Sequence, residues 1–249
     1  MMELSLSGRV ALVTGAARGI GLATSVALAQ RGANVVMVDI DGQALGEATT
    51  PLGERVIALE VDVSRAADVQ RAVETTVGRL GTLDILVNNA GVCPLTPFAE
   101  IGEEEWDRVL AINLKGAFLC GQAALPHLRR SGHQGRIINI ASVAGQMGGV
   151  LVGAHYSTSK AGLIALTKSL ARLLSADGVT VNCIAPATTE SDLTAAWPES
   201  LRSQVRGQIP LSRFATPAEI AAAVCFLAGD DASFITGATI DVNGGLYLR

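Results

Sequence analysis

The sequence predicts an α/β fold: a single domain, residues 1–249, on a doubly wound parallel sheet with helices on both faces. Three observations predict it. Short β-branched runs, apolar throughout, alternate with longer stretches of helical periodicity, the pattern of strands buried on both faces. A glycine-rich turn joins the first run to the first helix. No linker-like composition, repeat or low-complexity tract interrupts the alternation. Right-handed crossovers between parallel strands then wind the sheet outward from its middle.

Taken in order, RVALVT (9–14) is the first strand and GIGLATSVALAQRG (19–32) a helix closed by Gly32. ANVVMVDI (33–40) is a second buried strand, followed by a short helical segment and a third strand, RVIALEVDV (55–63). Residues 66–80 read as a helix and TLDILVNNAG (82–91) as a strand. A long helical stretch with an acidic first turn starts near Glu103 and runs towards His127. GRIINIAS (135–142), VTVNCIAP (179–186) and ATIDVNG (238–244) complete the strands, with helices over 156–175 and 217–229 between them. Leu163, Leu166, Leu170 and Leu173 run along one side of the 156–175 helix, with Ile164 and Leu174 elsewhere, compatible with packing on the sheet and on a partner. Residues 187–212 show no clear period. A segment of that length in a compact domain is usually functional, and a substrate-binding loop or lid is expected there.

Composition narrows the function. A net charge of −4 provides no basic field for nucleic acid. Cys93, Cys120, Cys183 and Cys225 are too dispersed for a zinc or redox motif, so no metal is expected and the thiols read as reduced and mostly buried. The start, MMELSLSGRVALVTG, lacks the charged region of a signal peptide, and no run of about 18 apolar residues stands out as a transmembrane helix. The expectation is a cytoplasmic protein with a small-molecule substrate and neither a membrane nor a nucleic-acid partner.

The first strand leads into TGAARGIG (14–21), where Gly15, Gly19 and Gly21 flank Arg18 and Ile20. A tight turn there lets the backbone approach a pyrophosphate at the positive end of the next helix. Asp39, at the end of the second strand and 18 residues after Gly21, can accept hydrogen bonds from the adenosine ribose and repel a 2′-phosphate, which argues for NAD. Arg18 pulls towards NADP, because a guanidinium in the loop could hold that phosphate. Asp62 and Val63 end the third strand, and Asn88-Asn89-Ala90-Gly91 the fourth, where ligands bind on such sheets. Asp62 can take the adenine amino group. Asn89 either touches the cofactor or ties neighbouring strands through its amide.

YSTSK (156–160) sets Tyr156 four residues before Lys160, on one helix face. Taken alone, this is either a solvated helix surface or a device in which an ammonium makes a phenol acidic.

Together these residues resemble the short-chain dehydrogenase/reductase family. The resemblance rests on TGAARGIG, NNAG (88–91), Asn113 in INLKG, Ser142 in NIASVAG, YSTSK, and FLAGDDASFITGATIDVNGG (226–245), in the family's order and covering nearly the whole chain. It implies a Rossmann-type fold, a nicotinamide cofactor and a homotetramer. It further implies that Tyr156 exchanges a proton with the substrate oxygen, that Ser142 donates a hydrogen bond to that oxygen, that Lys160 binds the nicotinamide ribose, and that Asn113 interrupts its helix and positions a water for proton relay. The chain departs from the family in three places. The gap between Ser142 and Tyr156 is one residue longer, Pro186-Ala187 stands for Pro-Gly, and Thr189 and Ser191 occupy the places of an Ile or Val and a Thr. Thr189 is thereby the expected contact for the cofactor carboxamide. Near the C-terminus, Asn243 replaces a frequent Asp.

The expected activity is hydride transfer between NAD and a secondary alcohol or carbonyl, with oxidation as the expected physiological direction. CPLTPF (93–98), QMGGVLVGAH (146–155) and ATTESDLTAAWPESL (187–201) should wall the substrate pocket, His155 included. Their Thr96, Thr188, Thr189, Glu190, Ser191 and Trp197 suit a small polar substrate such as a sugar or polyol. The rivals are 3-oxoacyl-carrier-protein reduction, which calls for a basic docking patch, and a nucleotide sensor that has lost its chemistry. Arg129-Arg130, the only adjacent basic pair, reads better as a solvated helix end than as such a patch.

Overall fold

A computed structural model describes residues 5–149 and 151–248. The first four residues of the N-terminal segment and Val150 of the 146–155 loop lie outside the described residues. Seven parallel strands form one sheet: β1 (Val10–Thr14), β2 (Asn34–Asp39), β3 (Val56–Glu60), β4 (Ile85–Asn88), β5 (Arg136–Ile140), β6 (Thr180–Pro186) and β7 (Thr239–Val242), in the order β3-β2-β1-β4-β5-β6-β7. The chain crosses from β3 over β1 to β4, so winding reverses between β1 and β4 and their carboxyl ends open a crevice.

The helices are α1 (Gly19–Gln30), α2 (Gly42–Thr49), α3 (Ala66–Leu80), α4 (Glu103–Leu110), α5 (Gly116–Ser131), α6 (Ala144–Met147), α7 (Ala154–Leu174), α8 (Asp192–Ala195), α9 (Glu199–Gln208) and α10 (Pro217–Ala228). A π-helical segment, Ala111–Lys115, joins α4 to α5 and carries Asn113, so the helix is interrupted at that residue.

Side-chain alternation divides the core into two layers. On β2, Val35 and Met37 face a cluster with Leu28 of α1 and Ile220, Val224 and Leu227 of α10. Val36 and Val38 face the other cluster, with Val69 and Val73 of α3, Cys120, Ala124 and Leu128 of α5, and Leu174 of α7. Both faces are covered, which is why the strands read as unbroken apolar runs. α10 starts where its sequence signals place it. Pro217 takes the first turn, and Thr216 and Glu219 form a reciprocal capping box, with Glu219 Oε2 accepting from Thr216 N at 2.8 Å.

Two readings of the sequence are corrected. The 187–212 segment is not without regular structure: α8 and α9 lie within it, and Trp197, Leu201, Val205, Ile209 and Phe214 form a small core of their own. The helical run Glu103–Gln134 is long and apolar enough by composition to cross a bilayer, although no such stretch was expected. In this fold it buries Cys120, Ala124 and Leu128 against the sheet. On α7, Leu163 and Leu174 are core residues, whereas Leu173 is 55% exposed.

Candidate active site

The crevice holds two adjoining cavities, of about 860 Å³ and about 340 Å³. The larger is lined by Gly15, Arg18, Gly19, Ile20, Asp39, Asp62, Val63, Asn89, Gly91 and Thr189. The smaller contains Ser142, Tyr156 and Lys160 and shares Ile20, Asn89, Gly91 and Thr189 with the first.

The turn after β1 is shaped by its glycines. Gly15 and Gly19 have φ of 63° and 56°, and nothing among the described residues lies within 4 Å of where a Gly19 Cβ would sit. Gly21 is not a lining residue. It is buried, and a Cβ there would meet the Gly15 carbonyl oxygen at 2.0 Å. Its role is the close packing of turn on helix. Arg18 at the start of α1 makes no side-chain cap, so the first amides of the helix are open to an anion.

At the adenosine end, Asp39 accepts from Ala17 N at 3.0 Å and from Asp41 N at 3.1 Å. Arg18 Nη2 lies 2.5 Å from Asp41 Oδ2, so the guanidinium already has a carboxylate partner. Asp62 Oδ1 accepts from Ser64 N and Oγ. Asn89 takes the strand-tying role: its Nδ2 donates to the carbonyls of Thr14 and Gly15, both at 2.9 Å, while the residue still borders both cavities.

In the smaller cavity, Ser142 follows β5 and its Oγ accepts from Ala144 N at 3.1 Å. The Ser142 hydroxyl and the Cys93 thiol lie beside the Tyr156 phenol and act on its proton. Lys160, 4% exposed, donates from Nζ to the Ile140 carbonyl at 2.8 Å, with its Nζ 5.7 Å from the Tyr156 ring centroid. Asn113 is buried and its amide is engaged. Oδ1 accepts from Val92 N at 2.8 Å, and Nδ2 donates to Val92 O at 2.9 Å and to Ser159 Oγ at 3.0 Å. It borders neither cavity and braces the backbone after Gly91.

The electrostatics differ from expectation. Burial pushes the Tyr156 phenol above its ordinary value near 10, with the Ser142 hydrogen bond acting the other way. Burial also lowers Lys160 to about 8 and pushes the Cys93 thiol up to about 11. Desolvation of a phenolate outweighs what a lysine directed at a carbonyl returns.

Of the polar residues expected to greet a sugar, Thr96, Glu190 and Ser191 are occupied elsewhere, while Thr188, Thr189 and Trp197 stay on the wall of the smaller cavity. Thr96 Oγ1 donates to Glu105, Glu190 pairs with Arg202, and Ser191 and Thr194 cap α8. The walls otherwise present Leu95, Met147, Leu151, Val152 and Leu193. His155, expected at the pocket wall, is wholly buried with Nε2 2.7 Å from Glu105 Oε1. Cys93 is the contact of Tyr156 that the sequence did not mark. A residue two positions past NNAG was readable as near the site, but not as touching the phenol. Arg129 pairs with Asp177 at the far end of α5.

A family profile described as Enoyl-(Acyl carrier protein) reductase matches residues 15–247. Among curated proteins, the chain is 44% identical over 243 residues to a 3-oxoacyl-[acyl-carrier-protein] reductase FabG of Staphylococcus aureus (strain Mu50 / ATCC 700699), covering 96% of this chain and 98% of the relative. It is 40% identical over 245 residues to the protein of that name from Vibrio cholerae, covering 98% and 100%. Among solved structures, one from Brucella melitensis titled as a short-chain dehydrogenase/reductase, glucose/ribitol dehydrogenase, matches with a TM-score of 0.94 at 34% identity over the full length of both chains. With sheet order, glycine turn and Ser142–Tyr156–Lys160 cluster in place, these matches make the chain a member of the short-chain dehydrogenase/reductase family, oxidoreductases that use a nicotinamide cofactor.

Proposed function

We propose that the protein reduces the ketone of a 3-oxoacyl thioester with NADH, rather than acting on a sugar or polyol. The observation that carries this reading is the apolar wall around Ser142 and Tyr156, formed by Leu95, Met147, Leu151, Val152, Leu193 and Trp197. An acyl chain gains from that surface, whereas a polyol would leave its hydroxyls unpaired against it. The reductase names of the relatives at 40–44% identity agree with it.

Residues of this chain suit a bound dinucleotide. Uncapped amides at the start of α1 and the open face of Gly19 would hold the pyrophosphate, and the Asp39 carboxylate would accept from the ribose. Asp39, Asp41 and Asp62 together line the adenosine end and disfavour a 2′-phosphate, while Arg18 is held by Asp41. When bound, the nicotinamide supplies the hydride. Ser142 and Tyr156 would both point a hydroxyl at the ketone oxygen, and Tyr156 gives its proton as that oxygen gains charge. A phenol pushed above its ordinary value stays protonated at working pH, so it is poised as an acid. Lys160, lowered to about 8, can return a proton. Asn113 would hold the Val92 backbone beside Gly91, and 187–212 would close over the acyl chain. Exposed Phe118, Leu173, Phe226 and Phe234 support the homotetramer that the resemblance implies.

A panel of 3-oxoacyl thioesters, sugars and polyols tests the substrate class. The kcat/KM for the thioesters should rise about fourfold per added methylene until the cavity is filled, as apolar burial requires. It should fall at least ~100-fold in Tyr156→Phe. Sugars or polyols turned over as well as the thioesters would overturn the assignment, and binding of dinucleotide without any turnover would favour a sensor. Asp39→Ala should weaken NADH and narrow its advantage over NADPH; an unchanged ratio removes Asp39 from cofactor choice. In Lys160→Met, removal of a buried cation should raise the thermal midpoint by a few degrees at pH 7 while turnover is lost. The folded lysine binds fewer protons than the unfolded one between its lowered value of about 8 and its ordinary 10.5, so wild-type stability recovers across that window. The variant's advantage should therefore shrink from pH 8 upwards. An advantage that is constant with pH would mean that Lys160 is not strained by burial.

A further inference from the structure

The buried His155 stands outside both cavities but next to Tyr156 in the chain. Its Nε2 lies 2.7 Å from Glu105 Oε1 on α4, and Thr96 Oγ1 donates to the same oxygen at 2.7 Å. The Trp106 ring stacks on the imidazole at a centroid distance of 6.5 Å and 18° between planes. A Cβ at Gly153 would sit 2.2 Å from His155 Cε1, so the turn entering α7 is moulded onto the ring. Gly153 N in turn donates to the Pro94 carbonyl at 3.1 Å. One carboxylate oxygen therefore ties two segments together. One is the first turn of α7, which carries Tyr156, and the other is the 93–96 loop, whose Cys93 faces the phenol in the same cavity and whose Leu95 lines the cleft.

We propose that His155 and Glu105 are a positioning pair that sets Tyr156 and Cys93 against Ser142. The proposal rests on the reading of Tyr156 as the proton donor. The Thr96 and His155 hydrogen bonds hold the Glu105 carboxyl below the usual carboxylate range, with Arg108 also facing it, so the pair keeps its acceptor charged at working pH. With Nε2–H donating to that carboxylate, Nδ1 is the lone-pair nitrogen, and it is buried with no partner among the described residues. Among the described residues no second polar anchor holds the ring, so its place is set by Glu105 and by packing against Trp106 and Gly153. Reacting groups displaced by about 1 Å can lose about 100-fold in rate, which is the scale on which such a brace acts.

The test uses the full-length protein, with kinetics on a 3-oxoacyl thioester and NADH. His155→Phe fills the space but cannot bond Glu105. It should lower kcat about 10- to 100-fold, leave the NADH dissociation constant within about twofold, and speed alkylation of Cys93 by iodoacetamide several-fold, because the loop is released. His155→Gln keeps an N–H for Glu105 and should recover most of kcat. In a Tyr156→Phe background, His155→Phe should cost nothing further, because its effect passes through the missing hydroxyl. A wild-type kcat in His155→Phe, or an equal loss with and without the tyrosine hydroxyl, overturns the proposal. If Tyr156→Phe alone keeps wild-type turnover, the failure lies instead in the reading of the active site. Should His155→Phe not fold, Thr96→Val and His155→Gln decide through the Cys93 alkylation rate. Faster labelling in Thr96→Val with wild-type labelling in His155→Gln supports the brace, and unchanged labelling in Thr96→Val refutes it.

Discussion

A lysine ammonium sealed beneath the crevice is the constraint on which the rest of the site depends. Lys160 is 4% exposed and has the Ile140 carbonyl, at 2.8 Å, as a partner for one of its three donors. Such a group is costly to bury and lowers its own pKa to about 8 in response. Its remaining donors are available to hydroxyls that arrive with a ligand. The cost is tolerated because α7 is anchored on both sides: Leu163 and Leu174 are in the core, and Thr167 accepts from Asn139 of β5 at 2.8 Å. Strain at a functional position is supported by packing elsewhere in the same helix.

The phenol one turn earlier experiences the same burial with the opposite effect on charge. For an amine, desolvation favours loss of a proton; for a phenol, it favours retention. One apolar environment therefore produces a proton-holding tyrosine beside a lysine that releases its proton more readily than usual. That pairing places a proton donor and a proton acceptor within one helical turn of each other. The sheet makes the geometry possible. Where winding reverses between β1 and β4, Asn89 closes the gap near the strand ends by bonding Thr14 and Gly15, and the two cavities open above it. Asn113 and Asn139 brace the neighbouring segments in the same way, through amides directed at backbone or hydroxyl groups.

Much of this was legible in the residues. Apolar runs such as VNCIAP and the glycine turn marked strands and crevice because strand burial and backbone strain leave direct traces in composition. Tyr156 and Lys160 were brought together by helical spacing alone. What could not be read depended on contacts distant in sequence. Gly21 looked like a cofactor contact, but its partner is the Gly15 carbonyl, six residues back in the turn. Thr96 and Glu190 looked like substrate ligands, yet Glu105 and Arg202 consume them. His155 adjoined Tyr156, but no spacing rule places it on Glu105, fifty residues earlier. The sign of the tyrosine shift was also hidden, since it turns on how deeply the ring is buried, and a motif does not carry that information.

The most direct test is a titration of the phenol itself. The chain has two tyrosines, so 13Cζ labelling gives two resonances, and Tyr156→Phe identifies which is which. The expected result is a Tyr156 that remains protonated through pH 10 in the free protein. A Tyr156 that ionises at or below its ordinary value near 10 would contradict it.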